Sequence, residues 1–413
     1  MTRMTRANLR IDIARLLARL DRLAQVGAIE GGGNARLALT DQDGEGRDLV
    51  VAWMRELGLA VTVDAIGNVF GLRKGRTDSA PLMTGSHIDT VRTGGRYDGN
   101  YGVLAGLEVV EVLNQAGIET ERPISVAFFT NEEGARFHPD MMGSLVHVGG
   151  MPLEEALAAT SSDGKSIGEE LRRIGYAGPA PVGKPNLHRF VELHIEQGPV
   201  LDREGVTIGA VDSLQGISWT EFTIKGTSNH AGTTPMRLRH DAGYVAARLS
   251  TFVRDLANEI GGNQVGTIGS VKLFPDLINV IPSKAVVTVD IRNTDEAKLK
   301  EAEQRVDAFV AEAAKAEGCT VESRRLARFE PVIFDAGMAA MIERTAKDLG
   351  FSVRRMTSGA GHDAQMMQRV APTAMIFVPS VGGISHNVRE FTKSEDLEAG
   401  ANVLLQVMLE LAN

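Results

Sequence analysis

NYGVLAGLEVVEVLNQAGIETERPISVAFFTNEEG, residues 100–134, changes period halfway along. Up to Gly117 its apolar residues recur at helical spacing. PISVAFFT, 123–130, is an uncharged run of strand length closed by a polar turn. The reading is a helix followed by a buried strand. Upstream, EGRDLVVAWMRELGLA (45–60) has the helical pattern and ends near Gly58. VTVDAIGNVFGL (61–72) reads as a hairpin with Gly67 near its turn, and PLMTGSH (81–87) as a short apolar run. Strands separated by helices predict a largely parallel sheet with helices on its faces. Ligands of such sheets gather at the carboxyl ends of the strands. Gly85–Ser86–His87 and Asn131–Glu132–Glu133 fall at two such ends.

The pattern changes near residue 213. ISWTEFTIKG is a strand, HDAGYVAARLSTFVRDLANEIG a helix, QVGTIGSVKLF and AVVTVDIRN strands, EAKLKEAEQRVDAFVAEAAKAEG a helix and CTVESRRLARFE a strand. The order β-α-β-β-α-β is a compact α+β unit like the split βαβ motif. MAAMIERTAKDLG, TAMIFVP and SEDLEAGANVLLQVMLELA then resume the helix–strand alternation. The expected organisation is an α/β domain in two pieces, 1–212 and 329–413, with a smaller domain, 213–328, inserted between them.

Composition excludes several classes. At 413 residues the chain exceeds the size at which single cores stop growing. Hydrophobic residues at 43% and charged residues at 23% are ordinary for a globular protein. A net charge of −9 with no basic tract argues against nucleic acid as a ligand. The lone Cys319 excludes an internal disulfide framework and suits a reducing cytoplasm. MTRMTRANLRIDIARLLARL reads as a loose tail leading into an amphipathic helix, not a signal peptide. No uncharged apolar run reaches the ~18 residues of a membrane span.

The polar residues at the strand ends form a constellation. GSHIDTVRTGGRYDGN (85–100) holds His87, Asp89 and Asp98, TNEEG holds Glu132 and Glu133, VELHIEQGPV (191–200) holds His194, Glu196 and Gln197, and GGISHNVRE (382–390) holds His386. Imidazoles and carboxylates together suit zinc, manganese or cobalt. Asp89, two residues beyond His87, is placed to orient that ring. Taken singly, each group has a plainer reading: a lone His beside a strand is usually a satisfied histidine, and Asp98 in YDGN looks like a turn residue. His138, His147, His188 and His240 are left to that plainer reading, and His362 in SGAGHDA stays open. Two adjacent carboxylates reach one pocket only if the backbone leaves the strand, because strand neighbours point to opposite faces.

The ordered set GSHIDTVRTGGRYDGNYG, TNEEGARF, HIEQGPVL, SNHAGTTPM, DIRN, SGAGHDA and SHN resembles the amidohydrolase branch of the M20 metallopeptidase superfamily, from about residue 10 to 410. That branch holds N-carbamoyl-L-amino-acid hydrolases, β-ureidopropionases and allantoate amidohydrolases. The resemblance implies a catalytic domain with a mixed sheet flanked by helices and an inserted α+β lid and dimerisation domain. It implies two divalent ions per subunit (zinc, manganese, cobalt or nickel): His87 and His194 on one, Glu133 and His386 on the other, Asp98 bridging. Glu132 is then the general base. His230 in SNHAGTTP is an electrophilic contact, expected to reach the partner's site in a homodimer. Asn279 and Arg292 bind a substrate carboxylate, and Gln197 and Gly361 contact the substrate. Alternation along VVTVDIR puts Thr288, Asp290 and Arg292 on one face, where a surface ion pair of Arg292 with Asp290 is the plainer reading. The implied activity is hydrolysis of N-carbamoyl-L-amino acids to amino acid, carbon dioxide and ammonia. Allantoate amidohydrolase or β-ureidopropionase is the alternative. Allantoate enzymes tend to carry a Gln-Arg pair near Ile217–Ser218, which this chain lacks. A peptidase or deacylase, and a metal-free binding protein, are the further readings; the presence of every expected ligand opposes the latter.

Overall fold

The computed structural model describes residues 9–413. The expected N-terminal tail lies outside them, and the amphipathic helix after it is Ile13–Ala24, capped by Asp12, which accepts from the Arg15 N–H. The strands are β1 (Ala60–Val63), β2 (Val69–Arg73), β3 (Leu82–His87), β4 (Ile124–Phe129), β5 (Arg189–Ile195), β6 (Ile208–Leu214), β7 (Gly216–Lys225), β8 (Val265–Phe274), β9 (Lys284–Asn293), β10 (Thr320–Phe329), β11 (Val332–Ile333), β12 (Val353–Ser358) and β13 (Thr373–Val378). The chain divides into two compact units: one runs to Asp212 and resumes as Phe334–Asn413, and the other is Ser213–Ile333. The return point lies a few residues beyond the expected 328 because β11 follows β10 before the chain re-enters the first unit.

The large sheet has the order β1-β2-β4-β3-β5-β13-β6-β11, with β12 paired to β6. Its centre, β4-β3-β5-β13, is parallel. The outer pairs β1–β2, β2–β4, β13–β6 and β11–β6 are antiparallel, so the sheet is mixed. Every residue of β3, β4 and β13 is buried, as expected for strands covered on both faces. The Asn100–Gln115 helix lies on β3 and is buried almost all round, which is why its sequence is apolar on nearly every face. In the parallel centre His87 is in register with Phe129, and Ile195 with Val378. The carboxyl ends of four neighbouring strands therefore lie side by side.

The second unit is a four-stranded antiparallel sheet, β10-β7-β9-β8, with the helices Ala242–Ile260 and Glu296–Ala316. Along β9, Ala285, Val287, Val289 and Ile291 are buried, while Thr288, Asp290 and Arg292 lie on the more open face. Each buried Val or Ile contributes about 1.5–3 kcal/mol, enough to fix the register of the strand. The rings of Phe252 and Phe309 stack at 4.0 Å between the two helices. Among the described residues no helix is long and apolar enough to cross a membrane.

Candidate metal centre

Four loops leave the parallel strands side by side, and each delivers part of one polar cluster. β3 ends on His87, and the loop after it carries Asp89 and Asp98. After β4, Asn131 adopts a left-handed φ of 56° and turns Glu132 and Glu133 out of the strand. β5 supplies His194, with Gln197 beyond it at φ 59°, and the loop after β13 supplies His386 at φ 53°. Left-handed backbone at three non-glycine positions of one site is strained, and such strain persists where the surroundings over-determine it. Gly99, at φ 65°, is required twice over: a Cβ there would meet the His87 ring at 2.5 Å.

Asp98 is the centre of the cluster. Its Oδ1 lies 3.2 Å from His194 Nε2 and 3.6 Å from His87 Nε2, and its Oδ2 lies 3.3 Å from His386 Nε2. Glu133 Oε2 is 3.2 Å from the same His386 nitrogen, and Glu132 Oε2 is 3.4 Å from His87 Nε2. Three trios with metal-ligand spacing result among the described residues: His87–Asp98–His194 and Asp98–Glu133–His386, which share Asp98, and Glu192–His194–His362, which shares only His194 with the first. Glu132 belongs to none of them. His87 Nδ1 is 2.9 Å from the Asp89 carbonyl and His194 Nδ1 is 2.8 Å from the Ile195 carbonyl. Carbonyls only accept, so each Nδ1 carries a proton and each Nε2 faces the centre.

The electrostatics favour a cation. Asp89, Asp98, Glu132, Glu192, Asp363 and Glu390 are all buried, against the buried imidazoles and the guanidinium of Arg36. Burial pushes Glu132 well above the usual carboxylate range, His87 only partly offsetting it. Burial also lifts Asp89 to about 6 and, with help from Asp98, Glu390 to about 7. Burial opposes charge on Asp98 too, yet hydrogen bonds from His194, His386 and His87 hold it well below that range. Asp98 and Glu133 raise His386 to about 11. Buried carboxylates outnumber their cationic partners, and buried charge is costly unless paired or metal-bound. The amide oxygen of Gln197 is buried with no hydrogen-bond partner among the described residues, while its nitrogen donates to Asp98 at 2.9 Å. The donor set and this orphan oxygen fit a divalent-cation centre.

The sequence profile of peptidase family M20/M25/M40 matches residues 83–410. The chain belongs to that family. The N-carbamoyl-L-amino-acid amidohydrolase of Rhizobium meliloti is 44% identical over 98% of both chains. The enzyme of the same name from Geobacillus stearothermophilus is 39% identical over 96% of this chain and 98% of its own. An amidase of the hydantoinase/carbamoylase family from Burkholderia multivorans has a crystal structure that matches with a TM-score of 0.94 at 47% identity, over 98% of both chains.

Within this M20 centre, Asp89 does something other than expected. Its carboxylate is 4.0 Å from His87 Nδ1, and the ring is oriented by the Asp89 backbone carbonyl instead. The carboxylate accepts the N–H groups of Glu132 at 3.2 Å and Glu133 at 3.3 Å, so it fixes the turn that separates the two acids. Gly361 packs beside Met141, whose N–H donates to the Glu132 carbonyl at 2.7 Å. His362, left open by the sequence, is buried with its ring centroid 4.5 Å from that of His194. His147 Nδ1 pairs with Asp64 at 3.3 Å, while its buried Nε2 has no hydrogen-bond partner among the described residues.

In the second unit, Ala231 N–H donates to the Asn279 carbonyl and Ile281 N–H to the Asn229 carbonyl, each at 2.9 Å. These bonds bring the exposed His230 and Asn279 onto adjoining segments. Gly232 N–H donates to His230 Nδ1 at 3.0 Å, leaving Nε2 as the outward donor. Arg292 does not stand beside a vacant carboxylate site: Asp290 accepts from its Nε and Nη2 at 2.9–3.2 Å. Ile217 and Ser218 are buried in β7, and Ser218 accepts from Arg325.

Sequence reasoning missed several supports. Glu192 lies two residues before His194 on β5; it is buried and accepts from Ser86 Oγ at 2.7 Å and Ala364 N–H at 2.8 Å. Asp363 accepts from Ser144 Oγ at 2.6 Å. Glu390 accepts from the N–H groups of Tyr97 and Asp98. A Glu on the same strand face as a ligand was a signal for the first; the other two had none.

Proposed function

We propose that this protein is a dinuclear, metal-dependent amidohydrolase that hydrolyses N-carbamoyl-L-amino acids. The observation that carries it is the sharing of Asp98 by two ligand trios while the neighbouring Glu132 stays outside both. His87 and His194 would hold one ion and Glu133 and His386 the other, with Asp98 between; zinc, manganese, cobalt and nickel all suit this donor set. When bound, such ions lower the pKa of a water and polarise a carbonyl oxygen.

Glu132 takes the proton of the attacking water. The water oxygen bonds to the ureido carbon, the bond from that carbon to the amino-acid nitrogen breaks, and Glu132 returns the proton to the departing nitrogen. The amino acid leaves, and the carbamic acid decomposes to carbon dioxide and ammonia. Asp89 holds Glu132 in place through the backbone. Gln197 turns its amide toward the ureido group beside Gly361. Arg292, exchanging Asp290 for the substrate carboxylate, and Asn279 bind the other end. His230 supplies a hydrogen-bond donor from the partner in a homodimer joined through the second unit. The single cysteine suits a cytoplasmic enzyme.

The relatives named above support the carbamoyl substrate. kcat/KM on N-carbamoyl-L-amino acids, N-carbamoyl-β-alanine, allantoate, dipeptides and N-acyl amino acids under one metal tests it. The first should win; allantoate ahead by about tenfold, or 1.4 kcal/mol, would replace the substrate, and turnover of dipeptides or N-acyl amino acids alone would remove the carbamoyl assignment. Mixing inactive His230→Ala with inactive Glu132→Gln protein should restore activity in hybrid dimers. No recovery after demonstrated subunit exchange would contradict the shared site.

A further inference from the structure

We propose that Glu390 is a positioning residue that ties the Asp98 loop to the His386 loop, so that the Asp98–Glu133–His386 trio holds its ion only while Glu390 is in place. The inference rests on the dinuclear reading above. Glu390 is 5% exposed and lies four residues beyond His386. Its Oε1 accepts the N–H groups of Tyr97 at 3.1 Å and Asp98 at 3.2 Å, and its Oε2 accepts from Ser385 Oγ at 3.0 Å. Ser385 Oγ is also 3.4 Å from Asp98 Oδ2. One side chain thus holds the backbone of the ligand shared by both trios and the residue preceding His386.

The packing leaves this arrangement little freedom. A Cβ on Gly95 would fall 2.1 Å from Glu390 Oε1, so the Asp98 loop passes directly over the carboxylate. The ring of Phe391 lies edge-on to that of Tyr97, with centroids 6.4 Å apart, and closes the contact between the loops. His386 most needs such support. It is half exposed and left-handed at φ 53°, whereas His87 and His194 are buried and tied to carbonyls. Groups that orient metal ligands from behind typically change metal affinity by about 10–100-fold when removed. A neutral amide at 390 would keep an oxygen for the two N–H groups and remove the repulsion between two neighbouring carboxylates. The Glu390→Gln variant should therefore retain the function that Glu390→Ala loses.

Calorimetric titration of the metal-stripped full-length protein with zinc tests this. Wild type should bind two ions. Glu390→Ala should bind one with near wild-type affinity and the second about 10–100-fold more weakly, and Glu390→Gln should recover the second. Ser385→Ala, which keeps the Asp98 anchor, should weaken the second ion less than Glu390→Ala does. Equal affinities for both ions in wild type and Glu390→Ala would overturn the inference alone. So would an equal weakening of both ions, or a Glu390→Gln variant no better than Glu390→Ala. Fewer than two ions in wild type would overturn the dinuclear reading beneath it. If Glu390→Ala does not fold, the ranking of wild type, Glu390→Gln and Ser385→Ala decides: a second ion weakened more in Glu390→Gln than in Ser385→Ala would overturn the anchor.

Discussion

Glu132 and Glu133 are adjacent in the chain, yet their carboxylates face different imidazoles: Glu132 lies 3.4 Å from His87 and Glu133 3.2 Å from His386. The left-handed turn at Asn131 and the two N–H groups gathered by Asp89 produce that divergence. Glu132→Gln should leave metal content near normal and lower kcat by about 10²-fold or more, as loss of a general base does. Glu133→Gln should instead lower the occupancy of one ion. Elemental analysis beside kcat distinguishes them, and exchanged behaviours would reverse the assignment.

Asp89→Ala removes the acceptor for two N–H groups at once. Each buried unsatisfied donor costs about 1–3 kcal/mol, so the variant should unfold at lower urea and lose activity through misplacement of both acids. Asp89→Asn keeps one acceptor oxygen and should fall between. Unchanged urea midpoints in both would show that water or neighbouring groups satisfy those donors.

Gly99→Ala should cripple the centre without replacing a ligand. The new methyl would lie 2.5 Å from the His87 ring, on backbone at φ 65°, where the left-handed conformation alone costs about 1–2 kcal/mol. Loss of one bound ion from folded protein is the expected result. Full metal content and wild-type kcat would mean that the loop relaxes freely.

Arg292→Ala should weaken N-carbamoyl amino acids by about 1.5–3 kcal/mol, the scale of a hydrogen bond to a charged group, and do little for an uncharged N-carbamoyl amide. Asp290→Ala removes the carboxylate that occupies Arg292 and should not weaken the substrate, in contrast. If Asp290→Ala raises KM as much as Arg292→Ala, the ion pair is a structural strut and the substrate carboxylate binds elsewhere.

Much of this was legible in the chain. Elements buried over all or most of their length, such as β3, β4 and the Asn100–Gln115 helix, declare their period without ambiguity. β12, VRRMTS, carries two arginines and no clean alternation, and β6 runs into β7 with only Gln215 between them, so both escaped notice. The ligands could be grouped because each follows an apolar strand. Their pairing could not, since which acid faces which imidazole depends on the φ of Asn131 and on where Asp89 sends its oxygens. Glu390 had no signal, because a Glu four residues past a histidine reads like any solvated Glu until the fold buries it.

On the proposed function, chemistry needs two cations, which the residues around Asp98 would hold. Metal-stripped protein titrated with manganese, with bound ions counted and ammonia release from an N-carbamoyl-L-amino acid followed at each point, tests it most directly. Activity should be absent without metal and reach its maximum at two ions per chain, with Asp98→Asn lowering both affinities together. Full activity in protein free of metal by elemental analysis, or at a single ion per chain, would contradict it.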